Sequence, residues 1–61
     1  MMSEKALFRW LREEGFDVKK GRRENGIEGY MIIDKKEKTC VAGEGYKLNI
    51  YGVEAWAWSN L

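Results

Sequence analysis

Side chains that commonly carry out chemistry are few in this 61-residue sequence, which has no histidine and one cysteine, Cys40. A catalytic serine or cysteine usually needs a histidine as its base, and a structural zinc site needs several cysteine or histidine ligands. The closest carboxylate pairs are Glu13 with Glu14 and Glu24 with Glu28, in charged segments typical of solvated faces. We therefore expect no enzyme, and no catalytic residue, metal site or cofactor.

Basic side chains could contact phosphate groups, and they form two clusters. One cluster consists of Lys19, Lys20, Arg22 and Arg23, and the other of Lys35, Lys36 and Lys38. Acidic residues adjoin both clusters, Glu24 and Glu28 after the first and Asp34 and Glu37 around the second, and the net charge is only +1. Two interpretations remain open: solvated charge that protects sheet edges, which we favour, and nucleic-acid contact. The candidates for nucleic-acid contact are Lys19, Lys20, Arg22, Arg23 and Lys47.

Aromatic residues are frequent near the C-terminus, where Tyr51, Trp56 and Trp58 are candidate protein-interface residues. On a helix, Trp56 and Trp58 would be about 200° apart, so one sheet could not easily bury both. We expect one indole to pack on the core and the other to be exposed as an interface anchor. Self-association into a homodimer is the simplest outcome. Alternatively, both indoles are buried in a groove, or the segment is a strand.

A first helix is predicted from Ser3 to Glu14. Ser3 can accept a hydrogen bond from a first-turn amide, and Gly15 can adopt the left-handed conformation that ends helices. Leu7, Trp10 and Leu11 follow the i, i+3, i+4 spacing of a buried stripe.

Two hairpins are predicted next, giving a three-stranded antiparallel meander. Asn25-Gly26 predicts a two-residue type I′ turn between strands 16–24 and 27–34, with Arg23 opposite Glu28 and Val18 opposite Ile33. A polar type I turn over residues 34–37 would lead into Thr39–Ala42. This arrangement places Cys40 opposite Met31, where it would be a small buried apolar side chain.

The last segment has two interpretations. Tyr46, Leu48 and Ile50 alternate like a strand, which would make residues 46–51 part of a fourth strand. Alternatively, Asn49 caps a helix that ends near Ser59, with Leu48 and Val53 forming a hydrophobic staple. We favour the helix, because residues 54–58 lack turn formers. The predicted fold is a single α+β domain of order α-β-β-β-α over residues 1–61.

This order, together with Gly43-Glu44-Gly45 before the last helix, resembles the double-stranded-RNA-binding domain family. The resemblance implies binding of A-form RNA through the first helix, the first hairpin loop and the start of the last helix. By position, the loop site corresponds to Arg22, Arg23 and Asn25. The lysines that the family carries at the helix start correspond to Leu48, Asn49 and Gly52, none of which is basic. Only Lys47 is basic there.

These features predict a small regulatory or inhibitor-like protein that binds another protein, typical of bacterial and phage accessory proteins. The alternative function is a weak double-stranded-RNA-binding module. We expect a complete chain beginning at Met1-Met2, because that pair resembles a natural start. The single thiol and the absence of a long apolar run predict a cytoplasmic location without membrane contact.

Overall fold

The computed structural model describes residues 2–61 and has the predicted α+β fold. Its elements in chain order are α1 (Glu4–Glu13), β1 (Phe16–Arg22), β2 (Glu28–Asp34), β3 (Thr39–Ala42) and α2 (Ile50–Asn60). The three strands form an antiparallel sheet in the order β1-β2-β3. The meander and the element order α-β-β-β-α are therefore confirmed.

Both helices begin directly after the residues that the sequence predicts as caps. The Ser3 hydroxyl accepts a hydrogen bond from the Ala6 amide at 3.1 Å. The Asn49 side chain accepts one from the Gly52 amide at 2.8 Å, and this confirms the helical interpretation of the last segment. Each cap provides a partner for one of the amides that a helix start leaves unpaired.

The core lies between the two helices and one face of the sheet. Its fully buried side chains, each with 0% exposure, are Leu7, Leu11, Ile32, Val53 and Ala57. These residues come from α1, β2 and α2, so all three elements are needed to enclose the core. Partly buried aromatics pack around them, including Phe8 against Tyr30 with ring centroids 5.7 Å apart.

The first hairpin loop, residues 23–27, contains a three-residue turn over 24–26, so the predicted two-residue turn is wrong. Gly26 donates to the Arg23 carbonyl and Arg23 donates to the Ile27 carbonyl, each at 2.8 Å. Within this loop only Gly26 takes a positive φ, of 84°, and the Asn25 side chain accepts a hydrogen bond from the Ile27 amide at 3.1 Å. This is a type I turn followed by a glycine bulge, the usual three-residue alternative to type I′.

The longer loop shifts the strand register by one residue. Arg22, not Arg23, lies opposite Glu28, and Val18 lies opposite Ile32 instead of Ile33. Because side chains alternate between the faces of a strand, this shift puts Val18 on the buried face with Ile32. Strand β1 also ends earlier than predicted, and Arg23 becomes a loop residue.

The second hairpin also differs from the prediction. Asp34 pairs with Thr39, so the loop spans residues 35–38, and its last residue, Lys38, has a φ of 58°. The Asp34 carboxylate accepts from the Lys36 and Glu37 amides and stabilises this loop. Cys40 consequently lies opposite Ile33 instead of Met31, and it is half-buried where we predicted a buried side chain.

The proposed fourth strand is reduced to a single bridge. Tyr30 and Leu48 exchange two backbone hydrogen bonds of 2.8 and 3.1 Å. Leu48 thus pairs with the part of β2 that the short strand β3 leaves free. The chain then enters α2 directly.

The opposed glycines Gly21 and Gly29 make room for the segment that precedes Leu48. A Cβ atom on Gly21 would lie within 3 Å of the Tyr46 ring, and one on Gly29 would overlap the Tyr46 carbonyl oxygen. Tyr46 itself has a φ of 63°, a left-handed conformation that is uncommon for a bulky residue. The loop between β3 and α2 is therefore held tightly against the sheet.

A tyrosine–carboxylate contact joins α1 to β2. The Tyr30 hydroxyl donates to Glu4 Oε1 at 2.7 Å. This hydrogen bond, followed by burial and by the negative charges of Glu4 and Glu28, raises the pKa of Tyr30 above its ordinary value. The protonated phenol is therefore favoured in the folded state.

This raised pKa predicts a loss of stability in alkali. Because the folded pKa of Tyr30 exceeds the unfolded value, its contribution is complete below pH 10.0 and falls as the pH rises through the folded pKa. Tyr30→Phe should remove this component, which is measured as the free energy of unfolding in urea at neutral and alkaline pH. An unchanged alkaline loss in Tyr30→Phe would contradict the assignment.

Candidate functional site

The largest exposed aromatic side chains lie on the outer side of α2. Trp58 is 65% exposed and Tyr51 is 63% exposed. With the exposed Ala55 between them, they follow the i, i+4, i+7 spacing of one helix face. We call Tyr51, Ala55 and Trp58 the α2 aromatic face. The opposite side of α2 carries Val53 and Ala57, which are both fully buried.

The two tryptophans of α2 lie in different environments, as the sequence predicts. Trp56 is half-buried, and its ring meets Phe16 edge to face with centroids 5.1 Å apart. Trp58 meets the half-buried Trp10 edge to face at 5.0 Å, but most of its ring remains exposed. The expectation that one indole packs and the other is exposed is therefore confirmed, whereas their roles in binding remain predictions.

Trp10 extends the aromatic surface from α2 to α1. Its ring and Ala6 line a shallow depression on α1, bordered by Lys5, Arg9 and Glu13. Arg9 and Glu13 form an exposed ion pair of 3.8 Å. The sequence predicts Trp10 as part of the buried stripe of α1, whereas the structure leaves it half-buried. Its contact with Trp58 depends on how α1 and α2 lie side by side, which periodicity within α1 does not encode.

Charge is nearly absent from α2. Its eleven residues include Glu54 as the single side chain charged at neutral pH and contain neither lysine nor arginine. Glu54 is half-buried and lines a second depression together with the α2 aromatic face. Low charge at the centre and large aromatic rings are the compositional features of protein–protein interfaces.

The five candidate nucleic-acid residues do not form one surface. Lys19 and Lys20 lie on opposite faces of the sheet because they are consecutive in β1. Lys20 lies 3.8 Å from Glu28 and 6.0 Å from the centre of the Tyr30 ring. The Arg22 guanidinium donates to the Gly26 carbonyl within its own hairpin loop.

Arg23 and Lys47 are the two candidates that the structure brings together. The Arg23 guanidinium donates to the Tyr46 carbonyl at 2.9 Å and to the Lys47 carbonyl at 3.0 Å. Their shallow depression is also lined by Glu24 and Glu44, two acidic residues that offset the two cations. Arg23 therefore links the first hairpin loop to the segment that leads into α2 by hydrogen bonds.

Lys19 does not lie with the other members of its sequence cluster, which are Lys20, Arg22 and Arg23. It lines a depression on the open face of the sheet with Asp17, Ile33, Lys35 and Lys38. The two basic clusters are therefore not wholly separated, because Lys19 lies with the second. The alternation of β1 places Lys20 and Arg22 on the other face.

Within residues 2–61, no group of three or more histidine, cysteine, aspartate or glutamate side chains could hold a metal ion. No helix in this part of the chain is long and apolar enough to cross a membrane.

Comparison of the chain with protein-family models, curated proteins and solved structures finds no match.

Proposed function

We propose that this chain is a non-catalytic protein-binding module that contacts its partner through the α2 aromatic face. In this proposal it is a small regulatory or inhibitor-like protein of the cytoplasm. The observation that carries the proposal is the exposure of Trp58 and Tyr51, at 65% and 63%, on one face of a helix.

The exposed area supports binding by this face. An aromatic side chain offers roughly 150–250 Å² for burial. At the exposures of Trp58 and Tyr51, the two rings therefore present about 200–300 Å² of surface. A patch of this size lies at or just below the lower end of the range for the largest apolar patch of a typical monomer, roughly 300–600 Å², which is often functional. Removal of the patch from water would favour binding of a partner.

The supporting structure suits a binding role. Val53 and Ala57 are fully buried on the inner side of α2, so the helix presents its outer rings from a fixed position. The edge-to-face contact with Trp10 restricts Trp58 before a partner arrives. Rings that are already ordered lose less conformational entropy on binding.

Photo-crosslinking in the producing cell tests this proposal. A photoreactive phenylalanine analogue at Tyr51 should give a crosslinked product that contains this chain and a protein, either a second copy or another chain. The same analogue at Ile27 is a matched control, because Ile27 is 55% exposed but lies in the first hairpin loop. Absence of a product at Tyr51, or equal products at both positions, would contradict the proposal.

Double-stranded RNA binding is the alternative function, supported by the α-β-β-β-α topology and the proximity of Arg23 and Lys47. Glu24 and Glu44 in the same depression weigh against it, as do the divided positions of the other cations. If RNA were the ligand, duplex RNA should bind at low salt with an affinity that falls steeply as salt rises. Absence of binding at low salt would exclude this alternative.

A further inference from the structure

We infer that the partner of the α2 aromatic face is a second copy of this chain, which packs its own α2 antiparallel against the first. This inference rests on the proposed function and names the occupant of the same surface. It follows from the spacing of the rings, from the charge of the helix and from the area that two copies can bury.

The spacing of the rings is nearly symmetric about Ala55. Tyr51 precedes Ala55 by four residues and Trp58 follows it by three, so the rings lie about 6 and 5 Å from Ala55 along the helix axis. A two-fold axis through Ala55 and perpendicular to α2 would place Trp58 of each copy beside Tyr51 of the other. A two-fold interface requires this kind of self-complementary pattern.

Small residues allow the two helices to approach closely. Ala55 lies at the proposed crossing point, and the exposed Ser59 flanks it on the side away from the rings. Helices that meet through small side chains pack with axes roughly 8 Å apart. The rings on one side and the close backbone on the other would then both be buried.

Charge on α2 is limited to one residue in each copy. Two copies of α2 bring together no cations, and each brings one carboxylate, Glu54, next to Ala55 and close to the axis. The net charge of +1 on each whole chain gives little repulsion between copies. A partner with an acidic surface would find no cation on α2.

The available area indicates the strength of the dimer. A standard interface buries roughly 800 Å² on each partner, and the two rings provide about a third of that. Trp10 beside Trp58 and the 38%-exposed Leu61 at the end of α2 add apolar surface. Because this surface is smaller than a standard interface, we expect a weak dimer, with a dissociation constant of about a micromolar or higher.

A disulfide at the proposed axis tests the geometry. In a Cys40→Ser background, Ala55→Cys should form an intermolecular disulfide under mild oxidation, because the two residues at position 55 would face each other across the axis at close range. Lys36→Cys in the same background is the control, because Lys36 is exposed in the second hairpin loop. Crosslinking that is no faster at Ala55→Cys than at Lys36→Cys would overturn the inferred axis.

Sedimentation measurements test the dimer without a covalent bond. The unmodified chain should change from monomer to dimer as its concentration rises through the micromolar range. Trp58→Ala should raise the dissociation constant about 30-fold or more, the effect expected of an interface hot spot. Ala55→Lys should give a folded monomer, because a long side chain at the crossing point prevents the close approach of the two helices, while Ala55 is exposed in the isolated chain.

The two proposals can fail separately. A chain that remains monomeric at high concentration, yet crosslinks to a different protein through position 51 in cells, overturns the second-copy inference and leaves the proposed function intact. A monomeric chain without a crosslinked product overturns both. A dimer that Trp58→Ala does not weaken uses another surface, and this result also overturns the inference.

Discussion

Ile32→Ala should abolish most of the stability of this protein. Ile32 lies in the central strand with 0% exposure and contacts core residues of both helices. Truncation of such a side chain costs about 2–5 kcal/mol, whereas a chain of this length has a free energy of unfolding of roughly 3–9 kcal/mol. Urea denaturation followed by circular dichroism should therefore show a large loss, or no cooperative transition.

Ile27→Ala provides the matched control for this prediction. It removes the same atoms at a position that is 55% exposed, in the loop between β1 and β2. We expect a change within about 0.5 kcal/mol, as for other surface substitutions. Similar losses at both positions would contradict the assignment of Ile32 to the centre of the core.

Trp56→Ala should mainly lower the stability of the fold, whereas Trp58→Ala should mainly weaken association. Trp56 is half-buried against Phe16 and the core, so its truncation should lower the free energy of unfolding by about 2–3 kcal/mol. Trp58 is 65% exposed and loses mainly its edge contact with Trp10, a contribution of about 0.5–1.5 kcal/mol. Thermal unfolding of both variants, below the concentration at which the chain associates, measures this difference.

Comparison of these two variants also distinguishes a core residue from an interface residue. Trp58→Ala should remain folded and lose binding, whereas Trp56→Ala should lose stability. If Trp58→Ala unfolded as readily as Trp56→Ala, both indoles would belong to the core, and the case for a binding face on α2 would lose its main support.

The sequence predicted the helices well because their signals are local. Ser3 and Asn49 each cap a helix three residues before the amide that they accept from. The choice between helix and strand for the last segment was harder, and both interpretations contained part of the result. Leu48 does pair with Tyr30, but the pairing ends at one bridge, because the Asn49 cap immediately turns the chain into α2.

The hairpin registers were predicted wrongly for a physical reason. Asn25-Gly26 suits a two-residue turn, but the same residues also suit a longer loop when the Asn25 side chain accepts from the Ile27 amide. The longer loop places Val18 and Ile32 together on the buried face. Burial therefore decides between two turns that are locally acceptable, and a turn signature alone contains no information about burial.

The candidate site was predicted in part. Helical periodicity correctly indicated that Trp56 and Trp58 point in different directions, but it did not indicate which indole would be exposed. Two contacts join residues that are more than 20 positions apart in the sequence. Trp58 contacts Trp10, and Arg23 donates a hydrogen bond to the Tyr46 carbonyl. Such contacts depend on the packing of whole elements, so no local sequence signal identifies them.

Hydroxyl-radical footprinting of the tryptophans tests the central claim most directly, because it reports whether the α2 aromatic face is covered where the protein acts. In dilute purified protein, Trp58 should react fastest, since it is 65% exposed while Trp10 and Trp56 are half-buried. In the producing cell, the reactivity of Trp58 relative to Trp56 should fall several-fold, because a bound protein covers the face. A Trp58 that reacts equally fast relative to Trp56 in the cell and in dilute solution would contradict the account.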